Sequence, residues 1–229
     1  MTDDLLIYGA GGFAREVAWL VAECTATTGT PTVRAFIDDD VSKVDQMLNG
    51  LPIVSLATAA ERWPGSGLLI AVGQPAARAR MARVATERGF WLPPIVHPSV
   101  SRSEFIEMGA GTIICAGTSL TVNVCLGQHV HVNLNCTIGH DAVLEDFVTL
   151  APGVHVSGWV TVERGAYVGT GAVIVNGTAE KPIVVGAGAI VGAGAVVTRD
   201  VPAGVTVVGV PAKVKAAART MTARVGETR

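Results

Sequence analysis

One histidine of this sequence is followed directly by an acidic residue. His140 precedes Asp141, and Gly158 lies eighteen residues after the histidine. An imidazole can accept a proton at neutral pH, and a neighbouring carboxylate can orient the ring and stabilise its charged form. Such a pair could act as a general base towards an amine or hydroxyl that attacks a thioester. The pair alone is also compatible with an ordinary surface histidine.

The residues around this pair repeat with a strict period of six. Every sixth residue from Met108 to Ile174 is aliphatic, which makes twelve such positions in a row. A fixed period of this length predicts a solenoid, whose repeats bury their apolar side against neighbouring repeats. Six residues suffice for one short strand and a corner, so three repeats would close one turn of a triangular β-coil. His140 follows the inward-facing Ile138 by two residues, which places it at a corner with Gly158 one turn above.

The repeat also predicts how the coil is interrupted and closed. The aliphatic pattern pauses at Gly177 and resumes at Val185, so we expect Thr178–Pro182 to form a loop outside the stack. Prolines and glycines between residues 202 and 211 should end the coil. The basic, alanine-rich tail Lys213–Arg229 should then form a short closing helix.

The first ninety residues follow a different pattern. An apolar run, Leu5–Tyr8, leads into a G-x-G-x-x-A turn that begins at Gly9, and a helical segment follows. Further strands are expected at Val33–Ile37 and Leu68–Val72, and a helix at Pro75–Arg88. Strand, glycine-rich turn and helix form the first unit of a Rossmann-like α/β domain. The segment has room for one mononucleotide-binding half, which disfavours a nicotinamide dinucleotide.

Candidate ligand-binding residues follow three of these strands. Ligands of parallel α/β sheets bind at the carboxyl ends of the strands, and a helix N-terminus favours a phosphate group. The residues expected there are Gly11, Gly12, Phe13, Asp38, Asp39 and Gly73. A tight turn without a ligand and a solvated aspartate run remain the alternatives for these segments.

Composition restricts the class of function. The chain has 229 residues and a net charge of −2, which offers no basic surface for nucleic acid. No apolar run approaches the length of a membrane span, and the N-terminus lacks a signal-peptide pattern. We therefore expect a soluble cytoplasmic protein without membrane insertion. The four cysteines show no C-x-x-C pairing, and we expect no metal.

Several motifs together resemble a known family. The hexad run, Gly139-His140-Asp141 and the closing Gly209-Val-Pro-Ala-Lys are similar to the hexapeptide-repeat acyltransferases. The N-terminal Gly9-Ala-Gly-Gly-Phe-Ala-Arg-Glu-Val and His97-Pro-Ser resemble the subgroup of sialic-acid O-acetyltransferases and UDP- or GDP-amino-sugar N-acetyltransferases. The resemblance implies a left-handed parallel β-helix, a hand that the spacing does not give. The sequence thus divides into a Rossmann-like domain at 1–91, a proline-rich linker at 92–104, a β-helical domain at 105–212 and a tail at 213–229. The resemblance implies sugar-nucleotide binding for the first domain and acyl transfer for the β-helix.

The resemblance also implies roles for particular residues. Acetyl-CoA would be the co-substrate and a sugar or sugar nucleotide the acceptor, with N-acetylation favoured. His140 would be the general base, Asp141 its acidic neighbour, and Asn133 a polar residue of the acceptor site. The acyl-CoA would lie in grooves between the subunits of a homotrimer, whose active sites are at the subunit interfaces. The matching cofactor positions are Thr149, Gly158, Thr170 and Ala193.

One of these positions departs from the family pattern. Some relatives carry a second histidine that contacts acetyl-CoA where this chain has Thr149. His131 lies one turn below it on the same side and could compensate, and Lys181 in the expected loop could reach CoA phosphates.

Three alternative functions remain open at this level. The first is a sialic-acid-type sugar O-acetyltransferase. The second is a metal site like that of γ-carbonic anhydrases, although their H-x₄-H spacing is absent. The third is a non-catalytic binding module on an inert coil.

Overall fold

The computed structural model describes residues 4–215, which form two parts with different strand geometry. The N-terminal part is an α/β unit around one sheet, and the C-terminal part is a parallel β-helix. The predicted organisation, an α/β unit followed by a β-coil, is confirmed. Within the described range, no helix is long and apolar enough to cross a membrane.

The N-terminal part alternates strands and helices. Its elements are β1 (Asp4–Tyr8), α1 (Gly12–Thr28), β2 (Thr32–Ile37), β3 (Met47–Leu48), β4 (Leu51–Val54), α2 (Leu56–Arg62), β5 (Gly67–Ile70) and α3 (Pro75–Glu87). The strand order is β3-β4-β2-β1-β5, and all pairs except β3–β4 are parallel. The chain runs from β1 through β2 to β4 on one side and then returns through α2 to β5 on the other side of β1. Because the strand order reverses there, a ligand crevice is expected between β1 and β5. The sequence analysis did not predict β3, β4 or α2.

Burial explains why these segments form strands and helices. Residues Leu5–Tyr8 of β1 are buried, because α1 packs on one face of the sheet and α2 and α3 pack on the other. A strand covered on both faces is a continuous apolar run rather than an alternating one. α1 buries one stripe from Ala14 to Val21 and ends at Gly29, whose φ of 81° is left-handed.

The β-helix has three faces, each a sheet of short strands. The first face contains β6 (Ile95–Val96), β9 (Ile113–Ile114), β12 (His131–Val132), β15 (Thr149–Leu150), β18 (Tyr167–Val168), β21 (Ile190–Val191), β23 (Thr206–Val208) and the antiparallel β24 (Lys213–Val214). The second face contains β7 (Ser101–Arg102), β10 (Ser119–Leu120), β13 (Thr137–Ile138), β16 (His155–Val156), β19 (Val173–Ile174) and β22 (Val196–Val197). The third face contains β8 (Ile106–Met108), β11 (Val124–Leu126), β14 (Val143–Leu144), β17 (Val160–Val162) and β20 (Ile183–Val185).

The register between turns follows the predicted spacing. Thr137 pairs with Ser119 on the turn below and with His155 on the turn above, so neighbouring turns are offset by eighteen residues. The aliphatic hexad residues fill the interior, where Ile138 and Leu144 have no exposed surface. Each buried aliphatic side chain contributes roughly 1.5–3 kcal/mol, which gives a continuous core without large aromatic rings.

The ends of the β-helix differ from the sequence prediction. Residues 92–104, predicted as a linker, contain β6 and β7, the first strands of two faces. The spacing of six continues back from Met108 through Arg102 to Val96, and the exposed arginine hides the pattern. At the other end, residues 213–214 form β24 rather than the start of a helix, and the rest of the expected closing helix lies outside the described residues.

Candidate active site

The predicted base lies on the corner between the second and third faces. We call this corner the catalytic edge and define it by Val122–Asn123, His140–Asp141 and Gly158–Trp159, which stack on successive turns. Backbone hydrogen bonds hold the stack together, with Asp141 N donating to Val122 O over 3.1 Å and Trp159 N to His140 O over 3.0 Å. A rigid scaffold therefore fixes the height and direction of the imidazole.

The His140 ring is held from one side and open on the other. Its Nδ1 lies 2.8 Å from Asp141 Oδ2, and its side chain is 53% exposed. Asp141 Oδ1 accepts a second hydrogen bond from Asn123 Nδ2 over 3.1 Å. The hydrogen bond with His140, followed by that with Asn123, keeps the pKa of the Asp141 carboxyl below its usual value. An ionised Asp141 fixes the proton on Nδ1 and leaves Nε2 as the basic nitrogen.

Gly158 makes room for the imidazole, which occupies the space of the absent side chain. A Cβ atom built at this glycine would collide with the His140 ring, and Nε2 would be the nearest atom. The Gly158 carbonyl accepts from Gly177 N over 3.1 Å, whereas its N–H donates to no acceptor within residues 4–215. A free backbone donor beside an open basic nitrogen is the geometry that acyl transfer requires.

The loops at the carboxyl ends of the N-terminal strands form a second candidate region. Gly9 has a φ of 117°, and its N–H donates to Ile37 O over 2.7 Å. Gly11 and Gly12 are exposed, and no atom lies within 4 Å of a Cβ built at Gly73. The backbone of these loops can therefore be approached closely by a ligand, as the G-x-G-x-x-A pattern predicts.

The two aspartates predicted beside these loops already have partners. Asp38 Oδ2 lies 3.0 Å from Lys43 Nζ, and Asp39 Oδ1 accepts a hydrogen bond from the Tyr8 hydroxyl over 2.7 Å. Burial, together with the Asp39 carboxylate, raises the pKa of the Tyr8 hydroxyl, which therefore stays a donor. Each aspartate retains free acceptor capacity, so these contacts orient the carboxylates.

A buried seam joins the N-terminal part to the first face of the β-helix. We define the interdomain seam by Phe13, Gly73, Arg78, His129, His131, Phe147 and Thr149. Arg78 of α3 has no exposed surface and makes six hydrogen bonds without a carboxylate partner in the described part of the chain. Its acceptors are the carbonyl oxygens of Val72, Gly73, His129, Phe147 and Val148 and the Thr149 hydroxyl.

Burial without a counter-ion affects the charge of Arg78. Desolvation lowers the pKa of its guanidinium to about 9, so the side chain stays charged at neutral pH. The Thr149 hydroxyl accepts from Arg78 Nη2 and donates to Gly73 O, both over 2.9 Å. The loop after β5 is therefore tied directly to the β-helix.

Two histidines line the same seam. His131 is 1% exposed and packs against Phe13 with a ring-centroid distance of 5.3 Å. Burial, followed by the charge of Arg78, lowers its pKa well below 6.5. The same causes lower the pKa of His129 to about 4, and this ring stacks on Phe147 at 5.0 Å. Neither histidine lies on the catalytic edge.

The structure separates the predicted site residues into three groups within one chain. His140, Asp141 and Gly158 meet on the catalytic edge. Gly11, Gly12, Phe13, Asp38, Asp39, Gly73 and Thr149 lie on the side of the first face, which is opposite that edge of the triangle. Asn133, Thr170 and Ala193 lie on the corner between the first and second faces. The position of Thr149 was expected beside the cofactor, but its 5% exposed side chain lies in the seam.

Comparison with known proteins places this arrangement in a family. The chain is 33% identical over 183 residues to GDP-perosamine N-acetyltransferase of Escherichia coli O157:H7, across 79% of this chain and 82% of that protein. The chain belongs to the hexapeptide-repeat amino-sugar acetyltransferases. The family model of the PglD N-terminal domain matches residues 4–85 of this chain.

Two solved structures superpose closely on this chain. WeeI from Acinetobacter baumannii AYE is 38% identical, with a TM-score of 0.86 over 92% of this chain and 99% of that one. Perosamine N-acetyltransferase from Caulobacter crescentus, solved as a histidine-to-asparagine mutant with CoA and GDP-perosamine, is 31% identical. Its TM-score is 0.84 over 93% of this chain and 97% of that one.

The sequence analysis missed two residues of these regions. Arg78 lies on the buried face of α3 with Ala82 and Ala85. An arginine at helical spacing from small apolar residues could have been recognised in the sequence as a buried charge. Trp159 occupies a corner where Asn123 and Asp141 stand on the turns below. No three potential metal ligands converge anywhere between residues 4 and 215.

Proposed function

We propose that this protein transfers the acetyl group of acetyl-CoA to the amino group of a nucleotide-linked amino sugar. Family membership supports this class of reaction, because a 33% identical relative is a GDP-perosamine N-acetyltransferase. A 31% identical relative binds CoA and GDP-perosamine in its crystal structure. The observation within this chain that supports the reaction most directly is the half-exposed His140 ring, held at Nδ1 by Asp141 and packed against Gly158.

In this proposal His140 is the general base. Its Nε2 accepts a proton from the acceptor amine as the amine nitrogen attacks the thioester carbon. Asp141 stabilises the imidazolium through Nδ1, and the free Gly158 N–H donates to the developing oxyanion. The carbon–sulfur bond then breaks, and His140 returns its proton to the departing thiolate of CoA. Amide and free thiol are the products, and the base is regenerated.

The acceptor would be bound by the loops of the N-terminal part. The exposed backbone of Gly11, Gly12 and Phe13 at the start of α1 suits a phosphate group. Asp38 and Asp39 offer carboxylate acceptors to the nucleoside, and Gly73 leaves room beside β5. We assign this role to residues up to about 91 and acyl transfer to the β-helix that ends near 212.

A second copy of the chain has to complete the site. The acceptor loops lie on the first-face side and His140 lies on the opposite edge, so one chain cannot bring its own acceptor to its own base. A homotrimer of left-handed β-helices, as the family resemblance implies, would place the catalytic edge of one chain against another chain. Gly158 from one copy and Thr170, Ala193 and Asn133 from the other would then flank the CoA and acceptor groove. We place the reaction in the cytoplasm.

The test is a mass-spectrometric screen of nucleotide-linked amino sugars with acetyl-CoA. The wild-type protein should add one acetyl group to at least one of them. The His140→Ala variant should be at least about a hundredfold slower, because a positioned base contributes roughly 10²–10⁴ in rate. Full activity in this variant would exclude His140 as the base. Transfer to sugar hydroxyls alone would favour an O-acetyltransferase instead.

A further inference from the structure

One corner of the catalytic edge has a backbone conformation that its residue type disfavours. Trp159 has a φ of 55°, in the left-handed region that bulky residues rarely adopt. Most corners of this type carry glycine or asparagine, and the turn below carries Asp141 with a φ of 57°. A bulky residue held in this conformation costs free energy, which makes its side chain a candidate for function.

Two other aromatic residues share this conformation, and packing explains both. His129 and Phe147 have φ values of 54° and 61°, and their rings are stacked 5.0 Å apart with an interplanar angle of 11°. Both rings lie under α3, beside the Arg78 hydrogen bonds to their carbonyl oxygens. The strain is therefore offset by packing, because His129 is buried and the half-buried Phe147 stacks on it and packs against the core under α3.

Trp159 has no comparable packing. Its indole lies edge-on to the His140 ring, with a centroid distance of 6.2 Å and an interplanar angle of 83°. The side chain is half-buried, and its Nε1–H donates to no acceptor among the residues that the structure describes. An aromatic face and a polar donor are thus both available beside the base.

Backbone hydrogen bonds fix Trp159 next to the loop that interrupts the β-helix. Ile183 N donates to Trp159 O over 3.0 Å, and Gly177 N donates to Gly158 O over 3.1 Å. The loop Thr178–Pro182 therefore leaves the stack directly above Gly158 and Trp159. The backbone of Trp159 therefore lies between the turn of His140 and this loop, and its indole lies beside the imidazole.

We propose that Trp159 is a specificity-determining residue that packs its indole against the sugar ring of the acceptor. The proposal rests on the proposed function. The acceptor amine has to reach His140 Nε2, which places the attached pyranose ring within reach of the indole. A pyranose presents a flat array of C–H groups that suits an aromatic face, and its hydroxyls can accept from Nε1–H. The narrow thioester chain of CoA enters over Gly158, where no side chain is present.

The experiment compares matched glycine variants at two corners with the same backbone geometry. Trp159→Gly should leave Tm unchanged or higher, since glycine adopts a positive φ without strain. Its KM for the nucleotide amino sugar should rise about tenfold, in line with the loss of an aromatic contact, while its KM for acetyl-CoA stays within about twofold. Trp159→Phe should restore most of the acceptor affinity. Phe147→Gly, the control, should lower Tm, because its ring packs in the seam.

The measurements use the acceptor found in the screen, starting with GDP-perosamine. A raised KM for acetyl-CoA with an unchanged KM for the sugar nucleotide would overturn the proposal, as would wild-type kinetics in Trp159→Gly. Neither result would affect the proposed function. Failure of the wild-type protein to acetylate any amino sugar would overturn the proposed function, and this proposal with it.

Discussion

The catalytic edge and the interdomain seam use similar residues in opposite ways. At the edge, His140 is about half exposed, has one partner in Asp141, and leaves Nε2 open. In the seam, Arg78 is buried and hydrogen-bonded six times, and His131 is 1% exposed. Both regions contain a histidine near other polar groups, but only the exposed one can exchange a proton with a substrate.

The difference between the two regions is one of environment rather than residue type. Burial removes the charged form of His131, because its desolvation is not compensated and Arg78 adds like charge. His140 sits on a corner, where water and an acidic neighbour are both within reach. Changes in the seam should therefore alter stability, and changes at the edge should alter rate.

The largest expected effect on stability is at Arg78. Replacing it with methionine, Arg78→Met, keeps much of the volume but removes the donor of six hydrogen bonds, three of them buried and three half-buried. Since unpartnered buried polar groups are costly, we expect the free energy of unfolding in urea to fall by about 3 kcal/mol or more. His140→Ala, the exposed control, should change it by no more than about 0.5 kcal/mol. Equal losses in both variants would contradict the division between seam and edge.

The second expected effect is a loss of stability in mild acid. His129 and His131 have depressed pKa values in the folded protein, to about 4 for His129, whereas the unfolded chain protonates them near pH 6.5. Between these values the unfolded chain binds more protons, so stability is fully present above about pH 6.5 and falls as the pH falls towards 4. We expect a loss of about 2 kcal/mol or more between pH 7 and pH 4.5.

Denaturation in a pH series measures this effect, and the chain offers a matched control. His129→Asn removes one titrating ring, and asparagine tolerates the positive φ at this corner. The variant should show a shallower dependence of unfolding free energy on pH. An unchanged slope in His129→Asn would exclude this ring as a source of the acid sensitivity.

The third expected effect is on rate at the catalytic edge. Asp141→Asn keeps the side-chain shape and tolerates the left-handed backbone, but it removes the charge that holds the proton on His140 Nδ1. We expect kcat to fall about tenfold, a part of the roughly 10²–10⁴ that a positioned base contributes. The unfolding free energy should stay near the wild-type value, which denaturation of the same sample checks. A loss of unfolding free energy as large as that of Arg78→Met would show that Asp141 stabilises the fold rather than supporting the reaction.

The smallest expected effect is at Thr149. Thr149→Val removes the hydroxyl that bridges Arg78 and Gly73, and Arg78 keeps its other acceptors, so we expect a loss of about 1 kcal/mol. Thr149→Ser should retain both hydrogen bonds and most of the stability. KM for acetyl-CoA should not change in either variant. A rise in this KM for Thr149→Val alone would return the residue to the cofactor groove, where the family pattern places it.

Local patterns predicted most of the architecture. The period of six requires Ile138 and Leu144 to point inward, because only that choice gives the repeats a core, and the structure agrees. The start of the coil was hidden because Arg102 interrupts the aliphatic series. The short elements β3, β4 and α2 carry too few residues to show a period, so the sequence did not reveal them.

The sequence by itself determined the β-coil, the Rossmann-like fold of the N-terminal part and the corner position of His140 beside Asp141 and Gly158. These follow from spacing along the chain, which sets what each residue can face when the repeats stack. Only the tertiary structure decided that Thr149 and His131 lie in a buried seam and that the loops of the N-terminal part face away from His140. These positions depend on which of the three faces packs against the N-terminal part, and the repeat is the same on all three. The contacts join segments about seventy residues apart in the chain, so local spacing cannot show them.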